Sequence, residues 1–123
     1  YMPPRNTKQQ LLRLRKLCEK YGFMEISGVD INSSRQEFSC PELLDEDFAS
    51  LTDATWALVA HEALSSYKTK YGLFSPENPL CATALNGRLS IYADLGRKLL
   101  PAGTMTVEEA AQQIKTQSAA HHV

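Results

Sequence analysis

With 123 residues, 43% of them hydrophobic and 22% charged, the chain is long enough for one small domain, and its composition excludes wholesale disorder. A net charge of −1 supplies no global drive toward nucleic acid or an anionic membrane, and no apolar run reaches the length of a bilayer span. The charge is unevenly placed: residues 1–20 hold six Lys or Arg against the single Glu19, and residues 21–54 hold eight Asp or Glu against the single Arg35. Such asymmetry marks a solvated helix beside an acidic loop more often than a docking face.

Residues 1–6, with Pro3 and Pro4, read as extended chain. Thr7 followed by Gln10 is a capping-box pattern, and Leu11, Leu14, Cys18 and Tyr21 recur at helical spacing up to Gly22, a natural helix stop. Arg13, Lys16 and Lys20 fall on the other side, a solvated face with no aromatic interleaving that would suit nucleic acid. Phe23 to Ser27 nearly alternates and predicts a short strand, followed by the polar loop Gly28–Gln36. Helix, glycine, strand and loop is the rhythm of an α/β protein.

Residues 37–51 mix Pro41 and acidic residues with apolar anchors at Phe38, Leu43, Leu44 and Phe48, and predict an irregular or short-helical excursion. A longer helix is expected from Asp53 to about Lys70, with Trp56, Val59, Ala60, Ala63 and Tyr67 as its buried stripe. Residues 72–83, with Gly72, Pro76 and Pro79, predict a loop. The next helix is expected over Ala84–Leu99, ended by Pro101 and Gly103. A second capping box, Thr106 with Glu109, opens a last helix from Val107 to about Gln117, and residues 118–123 read as a frayed tail containing His121 and His122.

The division that follows is a portion at 1–36, a helical extension at 37–117 and the tail. The fold class is α/β, a mostly helical fragment with one or few short strands. One strand cannot form a sheet alone. Either further strands exist, or this one pairs with chain absent here, or with another copy, which would make a homo-oligomer. A chain that opens at Tyr1 and enters helix almost at once fits a trimmed piece of something longer. Cys18, Cys40 and Cys81 are too scattered for a zinc pattern; their odd number, with no secretory leader, points to reduced thiols in a cytoplasmic protein.

The chemistry is concentrated in Gly28-Val29-Asp30-Ile31-Asn32-Ser33-Ser34-Arg35-Gln36. A loop leaving a strand end can aim groups at a ligand: Asp30 as an oxygen ligand for a metal, Asn32 as a neutral orienting group, and Arg35 as a bidentate anion clamp beside Gln36. The same residue types are ordinary turn formers, so a purely structural turn stands beside the functional reading. His61 reads as a structural histidine, and Trp56 and Tyr67 as core. A phosphate-cradling glycine loop and a Ser-His-Asp arrangement are both missing from the sequence.

The run Leu17–Gln36, then Phe38 and Cys40-Pro41-Glu42-Leu43, resembles the C-terminal part of bacterial proteins of the PHP (polymerase and histidinol phosphatase) superfamily. The blocks Asp53-Ala54-Thr55-Trp56-Ala57-Leu58-Val59-Ala60-His61-Glu62 and Arg88-Leu89-Ser90-Ile91-Tyr92-Ala93-Asp94-Leu95-Gly96-Arg97 are similar to the same group, in the same order. The resemblance implies the C-terminal part of a distorted (β/α) barrel. It also implies a cluster of divalent metals (Mn, Zn or Mg) at the strand ends, hydrolysing a phosphorylated small molecule or nucleotide-like substrate. Superfamily members commonly use a His-x-His motif and a Gly-x-Asp-x-His motif. Here there is no His-x-His, and the second motif reads Gly28-Val29-Asp30-Ile31-Asn32, with Asp30 matching and Asn32 in place of the histidine. The implied site is therefore composite, with Asp30 and Asn32 as its metal ligands from this chain, Arg35 and Gln36 toward phosphate, and the helical extension as a cap. No complete metal site is expected in this chain. The competing expectation is a non-catalytic structural or protein-interaction module.

Overall fold

Thr7 sets the start of the first helix by local chemistry. Its hydroxyl accepts from the backbone N–H of Gln10 at 3.2 Å, and the Gln10 side chain accepts from the Thr7 N–H at 2.8 Å. The helix, α1 (Lys8–Tyr21), ends at Gly22, whose φ of 68° places it in the left-handed region. The N–H of Phe23 then reaches back to the Cys18 carbonyl at 2.9 Å, which completes the cap. In this computed structural model residues 1–3, 5–37, 39–100 and 102–120 are described. They contain four α-helices: α1, α2 (Ala49–Tyr67), α3 (Leu85–Leu99) and α4 (Val107–Ala120), with short 3₁₀ turns at Pro41–Leu44, Glu46–Phe48 and Thr69–Tyr71. The chain divides into two units, Tyr1–Thr55 and Trp56–Val123, and the division falls within α2.

The α/β expectation is overturned: the described residues contain no strand. Phe23–Ser27 is extended, but its pairing stops at one rung. The N-terminal ammonium of Tyr1 donates to the Ile26 carbonyl at 2.9 Å, and the Gly28 N–H donates to the Tyr1 carbonyl at 3.1 Å. A strand needs a neighbour that continues the ladder, and alternation in one segment does not supply it.

In the first unit Leu11, Phe48 and Leu51 form a small apolar core, with Tyr1 and Leu43 packed against it and the Tyr1 and Phe48 rings 5.8 Å apart. Phe38, also expected as an anchor, lies outside the described residues. Leu44 and Tyr21, read from the sequence as apolar contacts, are exposed. Arg15 Nε donates to Glu25 Oε1 at 3.1 Å. Ser50 joins the pair, accepting from Arg15 at 2.6 Å and donating to Glu25 Oε1 at 3.0 Å. This polar knot ties α1 and the start of α2 to the extended segment, and Glu25 Oε2 is left buried with no hydrogen-bond partner among the described residues. Burial, and secondarily the Glu25 carboxylate, pushes the Cys18 thiol above its usual pKa.

The second unit is built on close helix packing. A Cβ on Gly96 of α3 would overlap the backbone carbonyl of Trp56 in α2, so only glycine permits this approach. α2 starts four residues before the expected Asp53 and ends at Tyr67 rather than Lys70; its buried positions in this unit are Ala57, Ala60 and Leu64. Tyr67, expected in the core, is 40% exposed. α4 opens at the Thr106–Glu109 capping box and continues to Ala120, so the described part of the expected tail is helical. Pro101 and residues 121–123, including both tail histidines, lie outside the described residues.

The segment joining α2 to α3 buries Tyr71, Leu73 and Leu80 and is strapped down by side chains. The Leu73 N–H donates to His61 Nδ1 at 2.9 Å, and Arg88 donates to the Leu73 carbonyl at 2.9 Å and to the Thr83 carbonyl at 3.0 Å. Asn78, 1% exposed, donates to the Gly72 carbonyl at 2.8 Å and to the Tyr92 hydroxyl at 2.6 Å, and accepts from the Leu80 N–H at 2.8 Å. The Tyr92 hydroxyl donates its own hydrogen bond to the Tyr71 carbonyl at 2.6 Å. Each buried polar atom of Asn78 thus has a partner, which is what permits its burial.

Candidate functional site

The Gly28–Gln36 loop begins where the Gly28 N–H is held by Tyr1 and closes on a turn in which the Gln36 N–H donates to the Ser33 carbonyl at 3.2 Å. Inside that turn the Gln36 side chain folds back. Its Oε1 accepts from the N–H groups of Asn32 at 2.7 Å and Ser33 at 3.0 Å, and its Nε2 donates to the Asp30 carbonyl at 2.7 Å. Gln36 is half-buried, whereas Asn32, Ser33, Ser34 and Arg35 are exposed. The loop therefore keeps its shape by local hydrogen bonds rather than by apolar burial.

Asp30 and Gln36 line a cavity of about 290 Å³ in the first unit, together with Arg5, Val29, Ile31, Glu37 and Glu42. Arg5 comes from the segment before α1, and its Nη1 sits 3.5 Å from Asp30 Oδ2, with both side chains about half exposed. This is a long, solvated ion pair of little energetic weight. Asp30 lines the cavity with its side chain half exposed to solvent. Cys40 stands near the same region; burial, and then its hydrogen bond to Glu42 at 3.4 Å, raises its thiol pKa, so the group is a poor nucleophile at neutral pH.

Of the four residues singled out in sequence, two meet at the cavity and two do not. Asn32 contributes its backbone N–H to the Gln36 clasp, and Arg35 lies on the exposed side of the turn, away from the cavity lining. Arg5 is the residue that sequence reasoning missed. Its partner lies 25 positions away, and a single Arg after two prolines carries no signal of that pairing. His61, in the second unit, has its Nδ1 lone pair committed to Leu73.

Among the described residues no group of three or more His, Cys, Asp or Glu is placed to hold a metal ion. Mg²⁺ and Mn²⁺ want several oxygen ligands in near-octahedral order, and one carboxylate with a guanidinium beside it does not provide that. By themselves the described residues do not fit a metal ion. Comparison with protein-family models, with curated proteins and with solved structures finds no match to the chain. No helix is long and apolar enough to cross a membrane among the described residues.

Proposed function

We propose that this chain is the C-terminal segment of a PHP-like metal-dependent phosphoesterase, to which it contributes the Gly28–Gln36 loop and a helical extension. The observation that carries the reading is the presentation of Asp30: a carboxylate 54% exposed, on a loop fixed by a side-chain clasp, at the edge of a cavity. The three blocks of sequence resemblance, in order along the chain, support it. So does the pairing with Arg5, which balances the Asp30 charge until another cation takes its place.

No residue of this chain is assigned a step in the hydrolysis. The part of its own groups is to hold and aim. Gln36 fixes the loop, and Met2, Val29 and Ile31 supply apolar lining to the cavity that Asp30 also lines. A phosphorylated small molecule or nucleotide-like substrate and a divalent metal belong to the composite site. The test is hydrolysis of a chromogenic phosphate monoester by the full-length protein in the presence of Mn²⁺. Asp30→Ala lowers the metal-dependent rate by at least the roughly 10–100-fold that loss of a metal's supporting group costs. An unchanged rate overturns the reading.

A second reading, a non-catalytic interaction module, is favoured by a different observation: Tyr21, Phe23 and Ile26 are 58%, 67% and 50% exposed, with the Tyr21 and Phe23 rings stacked at 6.1 Å. The Asp30→Ala rate decides between the two.

A further inference from the structure

We propose that the exposed basic and aromatic face of α1 docks on the acidic run at residues 41–47 of a second copy of this chain. The inference rests on the interaction reading of the Tyr21 and Phe23 surface given above and is independent of the phosphoesterase reading. Arg13, Lys16 and Lys20 recur at helical spacing as one exposed stripe, and none of the three has an ion pair among the described residues. Glu19, the one acid of α1, sits beside the stripe and leaves it net positive. Leu17 lies four residues after Arg13 and three before Lys20, Tyr21 follows four after Leu17, and both are exposed. The turn at Gly22 then lays the exposed Phe23 ring on Tyr21 at 6.1 Å, and Lys20 Nζ stands 5.1 Å from the centre of the Tyr21 ring. Chain reversal after the helix thus supplies the aromatic element that the basic face lacks in sequence.

The inner side of α1 shows what its cations pair with. Lys8 and Arg15, seven residues apart, are held by Asp45 and Asp47 and by Glu25 and Ser50. The acidic run therefore already binds one lysine of α1 and has charge left over. Glu42, Asp45, Glu46 and Asp47 stand exposed against the single Lys8, and among them Leu44 is 89% exposed. The free stripe lies roughly a third of a turn round the helix from Lys8, so it meets this run between copies rather than within one. A basic stripe flanked by apolar groups and an acidic run around one apolar group each offer the charge and the contact that the other lacks. Aliphatic Leu17, and two rings already stacked on each other, favour this occupant over single-stranded nucleic acid, which stacks its bases on free ring faces.

The experiment is sedimentation equilibrium of the full-length protein from micromolar to near-millimolar concentration, at about 50 and about 500 mM salt. It includes the Lys16→Glu/Lys20→Glu and Glu42→Lys/Glu46→Lys double variants, their equimolar mixture, and Leu44→Ser. All five side chains are exposed, and circular dichroism checks that each variant folds. The parent is expected to self-associate, about 10-fold more weakly at the higher salt. Each double variant alone sets like charges together and associates roughly 100-fold more weakly or worse. The mixture regains association, because the acidic stripe of one variant meets the basic run of the other and the unchanged faces also match. Leu44→Ser weakens association and keeps its salt dependence; if a double variant does not fold, this result decides. A parent that stays monomeric throughout, or a mixture that stays dissociated, overturns the proposal. Association broken at Lys16 and Lys20 but not at Glu42 and Glu46 overturns the acidic run as occupant and leaves the interaction reading of the face standing. Association that neither double variant alters overturns the proposal and removes that reading of the face as well. A monomeric parent that binds labelled oligodeoxythymidine through Lys16 and Lys20 overturns the proposal in favour of nucleic acid.

Discussion

Two carboxamides in this protein make three hydrogen bonds each, and they serve opposite ends. Gln36 binds Asn32, Ser33 and Asp30 within six residues of itself, on a loop where Asn32, Ser33, Ser34 and Arg35 are exposed. Asn78 binds Gly72, Leu80 and Tyr92 in a site 1% exposed, joining an irregular segment to α3. Water can replace any partner of the first amide and none of the second. The same bond count therefore means shape without much stability at Gln36, and stability that depends on complete pairing at Asn78. A loop held by its own side chain keeps its shape through local bonds that water can replace. A loop held by buried side chains from the helices around it is a structural strap.

The largest expected effect comes from breaking the strap. Asn78→Ala leaves the Leu80 N–H without its acceptor and removes one of two partners from the Gly72 carbonyl, which keeps the Ser75 N–H, and from the Tyr92 hydroxyl, which keeps the Tyr71 carbonyl. One buried donor left unsatisfied costs about 1–3 kcal/mol, and the two weakened groups and the lost side-chain packing add to it, so the loss is about 2–4 kcal/mol. Native-state amide exchange at Leu73 and Leu80 reads this locally, and protection there within about 1 kcal/mol of the parent would show that the network is not what holds the strap.

Tyr92 links the strap to pH. Burial raises its pKa above the ordinary value near 10, with the Asn78 hydrogen bond and then the Arg88 charge acting the other way. The fold thus favours the neutral phenol. Its contribution is fully present below the unfolded-state value near 10 and is lost as pH rises through the higher folded-state value. Urea unfolding between pH 8 and 11 is expected to show stability falling at the alkaline end, and a shallower fall in Tyr92→Phe. Equal slopes in the two proteins would exclude Tyr92 as the titrating group. The effect is smaller than that of Asn78→Ala because the network stays paired until the phenol ionises.

Sequence signals that act within a turn of helix were legible. Thr7 with Gln10, Gly22, and Thr106 with Glu109 each fixed a helix end because capping is decided by neighbours three or four residues away. The extended segment was readable as extended but not as unpaired, since a ladder depends on chain far away in sequence, and Tyr1 supplies one rung. Burial was harder still. Leu44 is 89% exposed despite its type, while Asn78, a polar residue between Glu77 and Pro79 in what reads as a plain loop, sits among the most buried. At the candidate site Asp30 stood out by motif, but the roles of its neighbours did not. Arg5 meets Asp30 from 25 positions away, and the reach of the Gln36 side chain back over the turn is a matter of backbone shape that residue types alone do not specify.

The smallest effect on stability is expected at Gln36, and it is the sharpest check on the comparison. Gln36→Leu deletes as many hydrogen bonds as Asn78→Ala, yet the groups it uncovers, the Asn32 and Ser33 N–H and the Asp30 carbonyl, lie at the surface and turn to water. The exchange of protein partners for water is nearly even in free energy, so the melting transition of the whole chain should shift by no more than about 1 kcal/mol would move it. A loss as large as that of Asn78→Ala would mean the loop is a structural element of the first unit, and that Asp30 is carried by it incidentally. A small loss, set beside the large one at Asn78, is the combination that separates bonds water can replace from bonds it cannot.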